Sequence, residues 1–275
     1  MYQLTAHNHT LSFNKPLIMG IINCTPDSFY SGSRAQTLDQ AKKMVDQMIE
    51  DGADILDIGG RSTRPGSIEI SDKEEIERVK EVIQYVSKNH PKVWMSIDTT
   101  KANVAHIAIN EGCRIINDIS SGEMDHQMIQ TVSNLKVPFV CMHMQGTPDN
   151  MQLNPTYSDV ANDVWEYFEK KIELLTSQGI EQVVLDPGFG FGKTIEHNYT
   201  LLREFHRFTS FKKPLLAGLS RKSMIYKLLN STAEESLNGT CALNLLAMMK
   251  GANILRVHDV KPAKEIIELY KQVSK

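Results

Sequence analysis

Short apolar runs alternate with longer amphipathic segments along most of the chain. Eight of these runs are rich in β-branched or other apolar residues, which is typical of buried strands. They cover residues 16–22, 53–58, 92–97, 113–118, 137–142, 181–186, 213–218 and 252–257. Strands that are apolar along their length and separated by helices indicate a parallel sheet covered by helices.

The segments between the runs carry the period of amphipathic helices. In "TLDQAKKMVDQMIEDG" and "SDKEEIERVKEVIQYVSKN", apolar residues recur at i, i+3, i+4 and i+7, with charges on the remaining face. Two capping boxes predict where these helices begin, Thr37 with Gln40 and Ser71 with Glu74. Glycines predict where four helices end: Gly52, Gly112, Gly179 and Gly251.

Eight strand–helix units in 275 residues predict a single α/β domain over residues 1–275, a closed (β/α)8 TIM barrel. An open doubly wound sheet is the alternative that the same alternation allows. No Pro/Ser-rich linker and no block of charge divides the chain. In a barrel, the active site would lie at the carboxyl ends of the strands.

Charge and cysteine content narrow the possible partners and compartment. The net charge of −3 gives no basic surface for extended nucleic-acid or anionic-membrane binding, although small anionic ligands stay possible. The four cysteines show no CxxC spacing, which favours a reducing, cytoplasmic compartment. The start "MYQLTAHNHTLSFNK" carries no export signal, and no stretch is apolar enough to predict a membrane span.

Polar residues follow nearly every apolar run, at the carboxyl end of the predicted strand. Packing alone does not require this, because polar groups are costly inside a sheet. They lie in "NCTPDSFYSGS", "GGRSTRPGS", "HMQGTPDN", "DPGFGFGKT" and "LSRKS", and at Asp98, Asn117, Asp118 and Arg256. We call "DPGFGFGKT", residues 186–194, the glycine loop. The placement predicts that these groups share one rim of the barrel.

Each polar residue also has a purely structural interpretation. Asp98 could cap the helix that follows it, and Asn117 could satisfy backbone groups at its strand end. Asp186 could form an Asx turn before Pro187. Lys193, in the glycine loop, is expected to be a solvated lysine at the start of a helix.

Taken together, the residues form a set that suits a flat heterocycle with a phosphate tail. Carboxylates accept from a guanidine-like N–H edge, and amide and ammonium groups donate to ring nitrogen and oxygen atoms, as in a pterin or a purine. The candidates for the ring are Asp98, Asn117, Asp186 and Lys222. The candidates for the phosphates are Arg64, Arg221, Arg256 and His258, together with the glycine-rich loops.

Eight ordered motifs extend over nearly the whole chain. They are "MGIINCTPDSF", "DIGGRSTRPG", "SIDTTKANVA", "GCRIINDISSG", "MHMQGTP", "LDPGFGFGKTIEHN", "GLSRKSMI" and "LRVHDV". In this order the motifs resemble those of the dihydropteroate synthases of the folate pathway. That family has the (β/α)8 barrel fold, and its members work as homodimers.

The resemblance implies a transferase that joins (7,8-dihydropterin-6-yl)methyl diphosphate to 4-aminobenzoate. The products would be 7,8-dihydropteroate and diphosphate, with Mg²⁺ as the cofactor. It implies an SN1-like displacement, in which the C–O bond breaks first, and a site that sulfonamide-like mimics of 4-aminobenzoate could target. The implied partners are small molecules and a second copy of the chain.

The resemblance also implies roles for individual residues. The pterin would be held by Asp98, Asn117, Asp186 and Lys222, with Met142 packed near it. Asn23 would bind Mg²⁺, and Arg256 and His258 would hold the diphosphate. The 4-aminobenzoate site would be formed by Thr63, Arg64, Pro65, Phe191 and Ser223, with the helix start at Ser223 favouring the carboxylate. Asn23, Arg64, Asp98 and Lys222 would be the catalytic residues.

The first loop departs from the family pattern. The family continues "SFSDGG", whereas this chain has "SFYSGS", so that Ser31 stands where the family has an acid. Asp27 is the nearest substitute for that acid, unless loop closure is weaker here. Arg61 lies at a position that varies in the family and is given no role.

Two other functions are compatible with a pterin-binding barrel. One is a methyltransferase of the corrinoid-linked kind, which needs no diphosphate site; Lys222, Arg256 and His258 argue against it. The other is a catalytically silent relative that binds pterin or a partner, which only the change at Ser31 favours.

Overall fold

The computed structural model describes residues 1–25, 34–61 and 69–273, with only the backbone of residues 34–37. Two N-terminal strands precede the barrel, β1 (Tyr2–Ala6) and β2 (His9–Phe13). The barrel strands are β3 (Leu17–Asn23), β4 (Ile55–Gly59), β5 (Trp94–Asp98), β6 (Ile115–Asp118), β7 (Phe139–Met142), β8 (Val183–Asp186), β9 (Leu216–Ala217) and β10 (Ile254–Val257).

The helices follow the barrel strands. They are α1 (Arg34–Glu50), α2 (Asp72–Asn89), α3 (Ala102–Glu111), α4 (Met128–Leu135), α5 (Val160–Ser177), α6 (Ile195–Arg203), α7 (Ser223–Tyr226), α8 (Leu237–Met249) and α9 (Val260–Val273), with a 3₁₀ segment at Phe205–Phe211. None of the helices in these ranges is long and apolar enough to cross a membrane.

The eight barrel strands form one parallel sheet in the order β8-β7-β6-β5-β4-β3-β10-β9. The ends of this order meet through a parallel bridge between Leu185 and Leu215, where the Leu185 amide donates to the Pro214 carbonyl at 2.9 Å. The sheet therefore closes on itself, which confirms the predicted barrel and excludes the open doubly wound sheet.

The strands are apolar along their length because both of their faces are buried. Every residue of β4, β6, β7 and β8 is buried, and large side chains such as Ile58, Phe139 and Phe168 are fully enclosed. Burying a side chain of this size contributes roughly 1.5–3 kcal/mol. The apolar runs thus predicted the strands correctly, because burial on both faces requires apolar side chains.

The N-terminal hairpin of β1 and β2 was not predicted. It is antiparallel and covers the amino end of the barrel, where the Gln182 side chain accepts from the Thr5 amide at 2.6 Å and donates to the Thr5 carbonyl at 3.0 Å. Leu4, Ala6 and Phe13 alternate into the core from the hairpin, and this alternation was the available signal.

Helix boundaries follow the predicted caps in part. The Ser71 side chain accepts from the Glu74 amide at 3.2 Å, as expected, and Gly112 ends α3 at φ 126°. The Glu74 carboxylate pairs with Arg78 instead of returning to Ser71, so the cap is not reciprocal. The prediction for Thr37 is wrong, because α1 begins three residues earlier, at Arg34.

Candidate active site

A polar pocket opens at the carboxyl ends of the barrel strands. Its lining residues come from six strand ends or the loops after them: Asp98, Asn117, Ile119, Met142, Asp186, Phe189, Phe191, Gly218, Lys222 and Arg256. The parallel register explains the convergence, since Asp98 lies beside Asn117 on neighbouring strands and Met142 lies beside Asp186. Residues far apart in the chain therefore share one rim, as the sequence predicts.

One side of the pocket is a network of charges that we call the charge cluster: Asp57, Asp98, Asn117 and Arg256. Arg256 donates from Nε to Asp57 Oδ2 and from Nη2 to Asp98 Oδ2, both at 2.6 Å. Asn117 Nδ2 donates to the same Asp57 oxygen at 3.0 Å. The network holds the Asp98 carboxylate and the Asn117 amide in fixed positions at the pocket wall.

The cluster shifts the acidity of its members. Burial raises the pKa of Asp98 to about 7, with the Asp57 charge adding to the rise and the Arg256 charge opposing it. Burial alone would lower the pKa of Arg256, but Asp57 and Asp98 outweigh it and raise that pKa above its ordinary value. Arg256 is therefore a permanent cation, whereas Asp98 can change its protonation near neutral pH.

Asp186 has a different environment from Asp98. Its Oδ1 accepts from the Gly188 amide at 2.8 Å, which is the Asx turn that was its structural interpretation. Its side chain still lines the pocket, so the turn and a ligand contact are compatible. Burial raises the pKa of Asp186, against the Gly188 hydrogen bond and the nearby Lys222 charge.

Lys222 lies across the pocket mouth. Its Nζ is 4.3 Å from the centroid of the Phe191 ring, a cation–π distance. Burial, together with the Arg256 charge, lowers the pKa of Lys222 to about 8, although the Asp186 and Asp98 charges oppose the shift. An ammonium and a flat ring thus stand together in the pocket that Asp98 and Asp186 also line.

Comparison with known proteins decides which family has this arrangement. The model of a family described as pterin binding enzyme matches residues 19–258. The dihydropteroate synthase of Haemophilus influenzae is 42% identical over 274 residues, covering 99% of both chains. The chain belongs to the dihydropteroate synthase family.

Solved structures of the family agree with the fold. The dihydropteroate synthase of Yersinia pestis, solved with a sulfonamide drug, superposes with a TM-score of 0.92 at 41% identity, covering 99% of both chains. That of Xanthomonas albilineans, in complex with 7,8-dihydropteroate, superposes with a TM-score of 0.89 at 34% identity, again covering 99% of both chains.

The charge cluster explains why Asp98 lies at the pocket wall, and the interpretation of Asp98 as a helix cap is wrong. Asp98 does not cap α3, because the first amide of that helix, Ala102 N, donates to Asp125 at 2.8 Å. Asp57 was missed in the sequence, where it lies inside an apolar strand run. A carboxylate in such a run was the available signal, since a buried charge requires a partner.

Arg256 and His258, which the family resemblance assigns to the diphosphate, lie at the same rim. Arg256 donates to the carboxylates from Nε and Nη2, and its Nη1 makes no hydrogen bond to any residue that the structure describes. His258 Nδ1 lies 3.0 Å from Ser220 Oγ. The surrounding protein and the Arg256 charge lower the pKa of His258 to about 4, so the imidazole is neutral at pH 7.

Ser223 begins α7, as expected, but the helix-dipole argument for it is weak. The helix has only four residues, and a single turn sums few peptide dipoles. Thr63, Arg64 and Pro65 lie outside the described residues, as do Asp27 and Ser31.

The turn that follows Asp98 is tied to both described ends of the second loop. Arg61 Nη2 donates to Thr100 Oγ1 at 3.0 Å, and Lys101 Nζ donates to the Ile70 carbonyl. Arg61 therefore has a structural contact, although no role was predicted for it. These two contacts join the turn after Asp98 to the second loop.

Asn23 ends β3 beside Gly59, at the same edge as Asp98. Its side-chain oxygen is a hard ligand of the kind that Mg²⁺ accepts, and it makes no hydrogen bond to the described part of the chain. No group of three or more His, Cys, Asp or Glu side chains within the described ranges could hold a metal ion. Among the candidate residues that the structure describes, Asn23 is thus an oxygen donor that could hold Mg²⁺.

The expectation for Lys193 is wrong. The side chain is buried, with 3% exposure, and lies under the glycine loop instead of in solvent. Burial lowers the pKa of Lys193 to about 7. The helix that follows does begin here, but Thr194 is its cap and accepts from the His197 amide at 3.1 Å.

Proposed function

We propose that the chain joins (7,8-dihydropterin-6-yl)methyl diphosphate to 4-aminobenzoate, giving 7,8-dihydropteroate and diphosphate for folate synthesis. Membership of the family makes it a transferase. The observation that carries the proposal is the convergence of Asp98, Asn117, Asp186 and Lys222 on one pocket. A relative solved with 7,8-dihydropteroate supports the identity of the product.

The pterin fits the polar groups of the pocket. The Asp186 carboxylate would accept hydrogen bonds from the aminopyrimidinone edge, and the Asn117 amide would donate to that edge. The Lys222 ammonium would donate to a ring oxygen or nitrogen. Met142, which is buried, would pack against the ring. The charge cluster would fix these groups before the substrate arrives, so that little is lost in ordering them.

The reaction places opposite charges on two sides of one bond. As the C–O bond at the pterin methylene breaks, its electron pair leaves with diphosphate and a delocalised cation remains on the pterin. The ionised Asp98 carboxylate would stabilise that cation, and Arg256 Nη1 and the neutral His258 would bind the departing oxygens. The amine of 4-aminobenzoate then forms the C–N bond and loses its proton to solvent.

Mg²⁺ would be held by Asn23 and by diphosphate oxygens, and when bound it supplies positive charge that stabilises the leaving group. Asn23 ends β3, which lies beside β10, the strand of Arg256, and one strand, β4, separates it from Asp98 on β5.

The second substrate would bind between Phe191 and Ser223. The Phe191 ring would form one wall, and Thr63, Arg64 and Pro65 of the second loop the other. We also propose that sulfonamide-like mimics of 4-aminobenzoate occupy this position, since a relative was solved with such a drug.

We further propose a cytoplasmic homodimer. The four cysteines are all unpaired, which suits a reducing compartment. An apolar surface supports the dimer, because Leu228, Leu229, Leu245, Leu246 and Met249 are all at least 36% exposed around α7 and α8. Light scattering of the purified protein at several concentrations tests the dimer, and a monomeric mass throughout would contradict it.

Incubation of the purified protein with Mg²⁺ and both substrates tests the activity. We expect diphosphate release that requires 4-aminobenzoate and matches 7,8-dihydropteroate formation one for one. Pterin binding without turnover would indicate the silent relative, and methyl transfer from a methyltetrahydrofolate to a corrinoid would indicate the methyltransferase. Either result would contradict the proposal.

A further inference from the structure

The glycine loop turns its backbone into a shape that exposes carbonyls to the interior. Gly188, Gly190 and Gly192 have φ of 70°, 86° and 63°, which a side chain would strain. The loop also lies against the segment after β7, so that a Cβ on Gly188 or Gly192 would collide with the His143 or Gln145 backbone. The inward carbonyls need hydrogen-bond donors, because unpaired buried carbonyls are costly.

Lys193 Nζ serves two of the loop carbonyls and one carbonyl of the neighbouring segment from a single atom. Its Nζ lies 2.9 Å from the Gly188 carbonyl, 3.0 Å from the Phe191 carbonyl and 3.3 Å from the His143 carbonyl. The fourth partner is His143 Nδ1, at 3.0 Å. Burial, with the Lys193 charge, lowers the pKa of His143 to about 2, so the imidazole is a neutral acceptor here.

The result is that Phe191 is held on both sides of its backbone. Its amide donates to the Gly188 carbonyl at 3.2 Å, and its carbonyl accepts from Lys193 Nζ. The adjacent carbonyl, that of Gly192, accepts from Tyr157 Oη at 2.7 Å. The Phe191 ring then projects into the pocket under Lys222.

We propose that Lys193 is a positioning residue for the synthase reaction: from beneath the glycine loop, it fixes the Phe191 wall against which 4-aminobenzoate binds. Lys193 touches no substrate, since the glycine loop covers it. The inference rests on the proposed function. It assigns the lysine to the second substrate and not to the pterin, whose binding groups stand on strand ends and in the charge cluster.

Steady-state kinetics of Lys193→Met test the inference. The variant keeps the length of the side chain and loses every donor. We expect the KM for 4-aminobenzoate to rise at least tenfold, while the KM for the pterin diphosphate and kcat each change less than threefold. Lys213→Met is the matched control, because Lys213 Nζ also donates to one backbone carbonyl, that of Glu181, but at the surface. Its constants should equal those of the wild type.

A second variant keeps the inference testable if Lys193→Met does not fold. Tyr157→Phe removes one hydroxyl and one bond to the glycine loop, and we expect its KM for 4-aminobenzoate to rise two- to threefold, with the pterin KM unchanged. If the wild type is active and the KM for 4-aminobenzoate is unchanged in both variants, the inference is overturned but the proposed function stands. Equal rises in both KM values would also overturn it, as a general loss of structure. An inactive wild type would contradict the proposed function and this inference with it.

Discussion

The charge cluster and the glycine loop each surround one cation, and they compensate its charge in different ways. Arg256 is bonded to two carboxylates, Asp57 and Asp98. Lys193 Nζ shares its three N–H donors among three backbone carbonyls and a neutral imidazole within 3.3 Å, with no carboxylate among these partners. Arg256 lines the pocket and keeps 20% of its side chain exposed, whereas Lys193 is buried under the glycine loop.

This difference suggests two roles: the charge cluster takes part in the reaction, and the contacts of Lys193 support the glycine loop. A cation paired with ionisable groups is coupled to their protonation and to any charge on a ligand, so the charge cluster can respond to the reaction. The peptide carbonyls around Lys193 do not titrate and the His143 imidazole stays neutral, so Lys193 has no charged hydrogen-bond partner and its contacts hold the glycine loop in one shape.

The largest effect is expected for Arg256→Met. Without the cation, Asp57 and Asp98 would face each other unpaired, and breaking a buried ion pair in this way costs roughly 3–5 kcal/mol. Urea denaturation at pH 7.5 measures the change in the free energy of unfolding. Arg221→Met is the control, since its pair with Asp259 is partly exposed and is expected to contribute only about 1 kcal/mol. Equal losses in the two variants would contradict the coupling.

Gly188→Ala tests the shape of the glycine loop. The added methyl meets positive φ and the His143 carbonyl at once, so we expect a loss of at least ~2 kcal/mol in unfolding free energy. Gly179→Ala is the control, because Gly179 has φ 78° but open space around it, and the strain alone should cost about 1 kcal/mol. Thermal or urea unfolding compares them. A milder loss at Gly188 than at Gly179 would contradict the tight packing of the loop.

Asp98→Ala and Lys222→Ala test the catalytic side of the pocket. Each should lower kcat/KM more than tenfold, equivalent to a loss of at least ~1.4 kcal/mol of transition-state stabilisation. Initial rates at limiting pterin diphosphate measure this. Near-normal turnover by either variant would show that the corresponding charge is not used.

The pH dependence should report the same two groups. Since Asp98 acts as a carboxylate, kcat/KM should fall as pH drops below its pKa of about 7. Lys222 acts as an ammonium, so kcat/KM should also fall as pH rises above about 8. The profile is bell-shaped, and each limb approaches tenfold per pH unit. In Asp98→Asn the acid limb should disappear, and its persistence would assign that limb to another group.

Sequence alone predicted the barrel because burial on both faces leaves strands apolar, and parallel register then brings their polar ends together. Asp98 and Asn117 are neighbours for this reason. Asp57 escaped notice because its compensating charge, Arg256, lies 199 residues away. A long-range ion pair leaves no local pattern.

Asp57 was overlooked, whereas Lys193 was noticed but wrongly predicted to lie in solvent. Its position beside a helix start is typical of a solvated lysine, and the local reading was correct about the helix. What the sequence did not reveal is that three glycines at positive φ turn carbonyls inward and create a buried site for an ammonium. The requirement arises from the backbone path and not from the residue types alone.

Calorimetric binding of the pterin diphosphate to the wild type and to Asp98→Asn, in the presence of Mg²⁺, is the most direct measurement of the central claim. If the charge cluster forms the pterin site, the substitution should weaken binding at least tenfold, while Lys193→Met binds the pterin as the wild type does. Equal pterin affinity in the wild type and Asp98→Asn would contradict the account.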